Sequence, residues 1–333
     1  MMCWFRVRGR DMTRELLILR HGKSDWEAGT DDFHRPLKDR GKRGAQRIGV
    51  WLLQQGLLPD HVVSSPAERA SVTAQKACKA MGMNARIIHR EPAVYEATTG
   101  DLLQVLAGCP ADAQRVMLVG HNPGLEELLV YLAQESIAYP ADGKLLPTAT
   151  LARLAMPDSW QGLHAGSAHL ISITRPGELP KKFPFPFPDG PERRDRPAYY
   201  YTQSSVIPYR LRHGRPEILI VSSSQRKHWV VPKGIRDPGL TPQESAAKEA
   251  WEEAGVEGRV ADEALGSYRY EKWGATCTVD VYPMEVTRVI PEEEWKERHR
   301  GREWVAPEEA QQRLRQAELE PLVAALLARL QAG

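Results

Sequence analysis

Apolar residues fall in two rhythms along this chain. Short unbroken runs end abruptly in turn or polar residues: Leu16-Leu17-Ile18-Leu19 before Arg20-His21-Gly22, His61-Val62-Val63 before Ser64-Ser65-Pro66, and Val116-Met117-Leu118-Val119 before Gly120-His121. Such runs predict strands buried on both faces. Between them lie stretches at helical spacing. Residues 42–55 carry Ala45, Ile48 and Leu52 and stop at Gly56, and residues 124–133 follow the third run. In Ser65-Pro66-Ala67-Glu68 the serine reads as an N-cap, with proline at the first helical position and glutamate three residues after the cap. Residues 86–89, 148–155 and 168–174 read as further strands. The alternation predicts an α/β first half, a mostly parallel sheet flanked by helices.

The rhythm breaks at Lys181-Lys182-Phe183-Pro184-Phe185-Pro186-Phe187-Pro188-Asp189-Gly190-Pro191. Prolines at this density exclude helix and central strand and leave a stiff, extended segment. The domain boundary is expected here: a first domain over residues 12–185, a proline-rich linker over 186–197 and a second domain over 198–333, with Phe183, Phe185 and Phe187 of the stretch docked on a domain. The second half opens β-rich, over 199–212 and 217–222. A strand-like His228-Trp229-Val230-Val231 then runs into Pro232-Lys233-Gly234, and a helix is expected over 242–254. Strands follow near 267–273 and 276–286, with closing helices over 310–315 and 319–330.

Composition changes this picture little. The 333 residues are 42% hydrophobic and 26% charged, enough for sizeable cores. Forty-five basic against 43 acidic residues give a net charge of +2, which makes no case for a nucleic-acid polymer or a membrane surface as partner. Cys3, Cys78, Cys109 and Cys277 are scattered without a Cys-x-x-Cys pair, so buried, inert thiols in a reducing cytoplasm are expected. No apolar run approaches the roughly 20 residues of a membrane span. Met12 is a plausible natural start, with residues 1–11 an unstructured leader.

Chemistry concentrates at the strand ends. Arg20 and His21 follow the first run, Arg69 lies in the turn opened by Ser65-Pro66, and His121 follows Val119-Gly120. An isolated Arg-His-Gly reads as a basic surface turn before it reads as a phosphate site. Two arginines and two histidines at three strand ends change that. Arginines bind phosphoryl oxygens by forked hydrogen bonds, a neutral histidine can attack phosphorus, and a cationic one can stabilise the equatorial oxygens.

Leu19-Arg20-His21-Gly22, Ser64-Ser65-Pro66-x-x-Arg69-Ala70-x-x-Thr73-Ala74 and Val119-Gly120-His121-Asn122-Pro123 resemble the histidine phosphatase superfamily. The compact size and Gly166-Ser167-Ala168-His169-Leu170 resemble its small phosphohistidine phosphatase (SixA) branch, over about residues 14–185. The resemblance implies that His21 is the nucleophile, that Arg20, Arg69 and His121 form its phosphate pocket, and that no metal is needed. In Tyr95-Glu96-Ala97, Glu96 falls where larger members keep a general acid. It reads equally as an exposed loop glutamate.

In the second half, Thr241-Pro242-Gln243-Glu244 is a capping-box start and Gly255 a C-terminal stop. Glu249, Glu252 and Glu253 fall at i, i+3 and i+4 and so share one helix face, at a cost of about 0.2–0.5 kcal/mol per like-charged pair. A solvated acidic face is one reading, and a hard-cation site that bridges a polyphosphate is the other. Gly234 with Lys248-Glu249-Ala250-Trp251-Glu252-Glu253-Ala254-Gly255-Val256 resembles the Nudix box, and the likeness runs over about residues 198–330. Two positions depart from it: Leu240 stands where the box has a glutamate, and Lys248 where it has an arginine. The resemblance implies an α/β/α sandwich with a mixed sheet, and Mg²⁺ (or Mn²⁺) held by Glu249, Glu252 and Glu253, with Glu253 catalytic. The Leu240 variant, with Pro232-Lys233-Gly234, is similar to diphosphoinositol polyphosphate and dinucleoside polyphosphate hydrolases. Lys227, Arg226 and Lys233 are candidates for extra phosphates.

The expected activity is that of a bifunctional phosphohydrolase. One site would be a metal-independent phosphatase working through phospho-His21. The other would be a Mg²⁺-dependent pyrophosphohydrolase for a nucleoside diphosphate-X, a dinucleoside polyphosphate or an inositol pyrophosphate. The alternatives are an independent protein phosphohistidine phosphatase beside a Nudix domain of unrelated substrate, or a nucleotide-sensing second domain. Oligomeric state is not readable from the sequence.

Overall fold

Leu16, Leu17, Ile18 and Leu19 have no exposed surface because their strand lies between two helical layers. The computed structural model describes residues 5–7, 10–12, 14–134, 137 and 140–332. It divides the chain into two units, Met1–Arg193 and Arg194–Gly333. The first holds the ribbon β1 (Phe5–Val7) and β2 (Arg10–Met12), then β3 (Arg14–Arg20), α1 (Asp39–Gln54), β4 (His61–Ser64), α2 (Glu68–Ala80) and β5 (Ile88–Arg90). After these come α3 (Thr99–Ala107), β6 (Arg115–Gly120), α4 (Gly124–Ala133), β7 (Leu151–Met156) and β8 (His169–Thr174). Six strands form one sheet in the order β5-β4-β6-β3-β7-β8. The first four are parallel, β7 is antiparallel to β3, and β8 is antiparallel to β7.

Side chains alternate across this sheet. Leu16, Ile18, Val116 and Leu118 pack with Leu102, Leu106, Leu125 and Leu128 of α3 and α4. Leu17, Leu19, Met117 and Val119 pack with Ile48, Leu52, Ala70 and Ala74 of α1 and α2. Because β3, β4 and β6 are parallel, their C-terminal ends share one edge of the sheet, the place where open α/β sheets bind ligands.

Four sequence expectations need correction or extension. The leader is not unstructured throughout, since Phe5 pairs with Met12 across the β1–β2 ribbon; residues 1–4, 8, 9 and 13 lie outside the described residues. Helix α2 starts at Glu68 after an extended Ala67, not at a Ser65 cap. The Ser65 hydroxyl is committed to the sheet edge: it accepts from the Ala67 N–H at 3.3 Å and lies 2.8 Å from His121 Nε2. Helix α3 was not anticipated, although Thr98 and Asp101 form a reciprocal capping box at its start. The proline-rich stretch is partly folded. Its β9 (Phe183–Phe185) pairs with β10 (Glu192–Arg194), and Phe183 is buried against Val50 of α1 and Ala80 of α2, with Phe187 alongside.

The second unit begins with a 3₁₀ turn at Ala198–Tyr201 where strand was expected. Its strands are β11 (Thr202–Arg212), β12 (Arg215–Ser222), β13 (Trp229–Val230), β14 (Lys233–Ile235), β15 (Val256–Val260), β16 (Gly266–Lys272), β17 (Ala275–Val289) and β18 (Arg302–Val305). They form a single mixed sheet with β11 and β17 parallel at its centre. Ile207, Ile218, Ile220, Val279 and Val281 meet α6 (Pro307–Arg313) and α7 (Glu320–Ala332). Val206, Leu219, Val221 and Met284 meet Ala246 and Ala250 of the opposite layer, making three layers. That layer is α5 (Pro242–Glu249) continued by a π-helical turn, Ala250–Ala254, and ended by Gly255 at φ 62°.

Cys78, Cys109 and Cys277 are free and buried, with burial pushing the first two thiols up to about 12 and about 11; Cys3 lies outside the described residues. Among the described residues no helix is long and apolar enough to cross a membrane.

Candidate active sites

The ends of β3, β4 and β6 meet at a cleft of 660 Å³ lined by Arg20, His21, Arg35, Arg69, Glu96 and His121, among others. His21 leaves β3 as its N–H bonds the carbonyl of Gly120 on β6, and the next residue must be glycine. A Cβ on Gly22 would lie 2.6 Å from the Gly41 carbonyl oxygen, where the strand end passes α1. The Gly22 N–H donates to Thr73 Oγ1 at 2.9 Å, which ties the same turn to α2.

His21 is 8% exposed, and its Nδ1 lies 2.8 Å from the Gly22 carbonyl oxygen. A carbonyl only accepts, so Nδ1 carries the proton and Nε2 keeps its lone pair. Burial, with Arg69, Arg20 and Arg35 nearby, lowers His21 to about 4. The His121 ring stands 5.1 Å away, centroid to centroid. Burial, then His21 and Arg69, lower it to about 3. The second histidine, anticipated from sequence as cationic, is therefore neutral as the pocket stands here, because burial and the neighbouring guanidinium groups outweigh the pull of Asp32.

The loop after Gly22 contributes groups that motif spacing did not single out. Asp32 Oδ1 accepts from Arg35 at 2.7 Å, and Asp32 Oδ2 accepts from Arg69 at 2.8 Å and from the Tyr95 hydroxyl at 2.9 Å. Arg35 is 6% exposed and lies 3.3 Å from the ring centroid of Trp26, itself 72% exposed. Arg20 donates to the Leu146 carbonyl at 2.7 Å. Even so, Arg20 Nε, Arg35 Nε and Nη1, and Arg69 Nε are buried without a hydrogen-bond partner. The only sequence signal for Asp32 and Arg35 was the charge density of Asp31-Asp32-Phe33-His34-Arg35 just after the Arg-His pair. Glu96 lines the same cleft at φ 53°, a left-handed conformation that a non-glycine residue adopts at a cost.

In the second unit Glu249, Glu252 and Glu253 straddle the junction of α5 and the π turn. Glu249 is raised to about 7 by burial together with Glu253, Glu252 and Asp237, partly offset by Lys248. Burial also raises Glu253, against the pull of Arg300 and the Lys233 N–H. Glu253 accepts from that N–H at 3.0 Å and from Arg300 Nη2 at 2.6 Å. Glu252 Oε1 accepts from Lys296 Nζ at 2.5 Å, and its Oε2 lies 3.8 Å from Lys248 Nζ. Lys248, in place of arginine, reaches Asp237 at 3.1 Å. Lys233 Nζ turns to Tyr270 and Gln203, at 3.0 and 3.4 Å.

The carboxylate set has the chemistry of a hard-cation site. A cradle supports it: a Cβ on Gly234 would fall 2.1 Å from the Glu249 carboxyl carbon, so any side chain there would push that carboxylate out of its place. The donor types thus suit a divalent cation, but the carboxylates are not drawn together here, and Lys296 and Arg300 lie on two of them. Among the described residues no group of three or more His, Cys, Asp or Glu side chains is gathered closely enough to hold an ion. The π turn contributes, because its wider i→i+5 winding does not superpose i, i+3 and i+4 as an α-helix does.

Comparison with known proteins separates the two units. Residues 16–105 match the histidine phosphatase superfamily (branch 1), and residues 201–326 match the NUDIX domain. The chain is 32% identical to Nudix hydrolase 12, mitochondrial, of Arabidopsis thaliana, over 35% of this chain and 69% of that protein. It is 36% identical to diphosphoinositol polyphosphate phosphohydrolase 3-beta of Bos taurus, over 28% of this chain and 57% of that protein. Among solved structures, the protein histidine phosphatase SixA complexed with tungstate aligns with 49% of this chain and 97% of that one, at 19% identity and a TM-score of 0.42. The chain belongs to the Nudix hydrolase family and carries, ahead of its Nudix domain, a domain of a second hydrolase family, the histidine phosphatase superfamily.

Proposed function

We propose that the chain is a two-site phosphohydrolase, with a metal-independent phosphatase centred on His21 and a metal-dependent pyrophosphohydrolase centred on Glu249, Glu252 and Glu253. The observation that carries the first assignment is the set of buried, unpartnered N–H groups of Arg20, Arg35 and Arg69 around the free Nε2 of His21. Leaving such donors unpaired is costly unless an anion completes them. A tetrahedral phosphoryl group is the anion that His21 can also attack.

In this reading the three arginines grip the phosphoryl oxygens and His21 Nε2 attacks phosphorus. A P–N bond forms as the bond to the leaving group breaks, and Glu96 gives its proton to the departing atom. Glu96 then takes a proton from water as its oxygen attacks the phosphorus of phospho-His21; the P–N bond breaks, its electron pair returns to Nε2, and phosphate leaves. His121 gains its proton only once phosphoryl charge offsets the arginines.

In the second site, Glu249, Glu252 and Glu253 would hold Mg²⁺ or Mn²⁺. Such an ion, when bound, neutralises diphosphate oxygens and acidifies water. Glu253, raised by burial and held by the Lys233 N–H and Arg300, takes the proton of the attacking water. The substrate class is a diphosphate-linked small molecule: a nucleoside diphosphate-X, a dinucleoside polyphosphate or an inositol pyrophosphate. Its cleavage yields a phosphomonoester of the kind the first site would hydrolyse.

A product-resolved screen of nucleotides, dinucleoside polyphosphates, inositol pyrophosphates and a phosphohistidine protein, with Mg²⁺ or with a chelator, tests the assignment. Phosphomonoester hydrolysis that persists in chelator, and diphosphate cleavage that does not, are expected. Metal dependence of both, or of neither, contradicts it.

A further inference from the structure

The segment Pro291–Gly301 between β17 and β18 lies over the glutamate face of the π turn. Three of its side chains touch that turn, and they differ in kind. Trp295 is 4% exposed and donates from Nε1 to the Glu252 carbonyl at 3.1 Å. Arg300 is 9% exposed and spans Glu253, Glu297 and the Ser222 carbonyl, at 2.6, 2.6 and 3.3 Å. Both are packed parts of the scaffold. Lys296 is not: its side chain is 55% exposed, and its one contact of this kind is Nζ to Glu252 Oε1, at 2.5 Å.

We infer that Lys296 is an internal counter-cation that occupies a carboxylate oxygen of the metal site and yields it when a divalent cation binds. This rests on the reading above, in which Glu252 is one of the carboxylates that hold the cation. Electrostatics make a resident cation useful. Glu249, Glu252 and Glu253 crowd the junction of α5 and the π turn, and Lys248 links Asp237 to Glu252, so these carboxylates need cations beside them. Lys248 and Lys296 flank Glu252, but Lys248 is already held by Asp237 at 3.1 Å and stands 3.8 Å from Glu252. Lys296, on a flexible stem in solvent, is the group that leaves most cheaply. Displacement moves only the Lys296 side chain, while Trp295 and Arg300 stay packed. Metal loading is thereby coupled to release of the Lys296 ammonium into solvent.

The test uses the full chain, with Mn²⁺ or Mg²⁺ alone as ligand, in two measurements. Calorimetric titration should show Lys296→Met binding the ion about two- to five-fold more tightly than the parent, the factor expected for an exposed ion pair. Arg298→Gln, which removes a like charge from the same segment, should change affinity much less. Amine acetylation mapped by mass spectrometry should show faster modification of Lys296 in the parent when the ion is added. Unchanged affinity in Lys296→Met, an equal gain in Arg298→Gln, or Lys296 modification that the ion slows or leaves unchanged overturns the inference. Should Glu252→Gln bind the ion as tightly as the parent, the metal-site reading itself fails, a result separable from failure of the Lys296 competition.

Discussion

The Nδ1 of His21 lies 2.8 Å from the carbonyl oxygen of Gly22, and that one contact decides which ring nitrogen faces the cleft. It also joins a local feature, the turn after β3, to the chemistry proposed for the site. The turn is possible because residue 22 has no side chain to strike Gly41.

The histidines set a pH dependence. His21 is lowered from 6.5 to about 4 and His121 to about 3, first by burial. A histidine depressed in the fold costs nothing above the unfolded value. As pH falls below 6.5, the unfolded chain takes up protons that the fold refuses, so stability declines until the folded values are passed. For His21 alone the loss is on the order of 3 kcal/mol at pH 4. Thermal melts of the parent should fall between pH 6.5 and 4, and less steeply in His21→Gln. The acid limb of the phosphatase kcat/KM should lie near pH 4–5 rather than 6.5, because the nucleophile stays unprotonated.

Asp32 joins three groups of the first site: Arg35, Arg69 and Tyr95. Asp32→Ala removes charge-assisted hydrogen bonds from both arginines, interactions of about 1.5–3 kcal/mol each. Phosphatase kcat/KM should fall on the order of ten-fold or more, chiefly through KM, and Mg²⁺-dependent hydrolysis should not change. Steady-state kinetics of both activities in one preparation checks this.

Gly234 is the steric counterpart in the second unit. An added methyl group would fall 2.1 Å from the Glu249 carboxyl carbon. Gly234→Ala should therefore abolish most metal-dependent hydrolysis while chelator-resistant phosphatase activity survives. Equal loss of both activities would point to misfolding, and circular dichroism separates that outcome.

Phe183 sits in the proline-rich stretch, at the end of the expected first domain, and is 2% exposed against Val50 and Ala80. Phe183→Ala should destabilise the first unit by about 3 kcal/mol, within the range for a buried phenylalanine. Denaturant unfolding followed by phosphatase activity measures it.

Much of this was legible in the sequence for physical reasons. Leu16–Leu19 announce a central strand because a strand covered on both faces has no polar side. Arg20, His21, Arg69 and His121 were legible because each follows a strand end or opens a helix. Asp32, Arg35 and Tyr95 were not, since loop residues carry no periodicity and their meeting with Arg69 is set by the tertiary fold. The link between Glu252 and Lys296 joins residues 44 apart in sequence. The π turn was likewise invisible, because the glutamate spacing reads as ordinary α-helix until the backbone is seen.

The central claim is that His21 carries the phosphoryl group. Brief reaction with a phosphomonoester or phosphoramidate in excess chelator, an alkaline quench that preserves phosphohistidine, and peptide mapping by mass spectrometry test it directly. The account predicts a phosphoryl group on His21 of the parent, and loss of both label and chelator-resistant hydrolysis in His21→Ala with Mg²⁺-dependent cleavage retained. Label on another residue, or phosphomonoester hydrolysis that survives in His21→Ala, would contradict it.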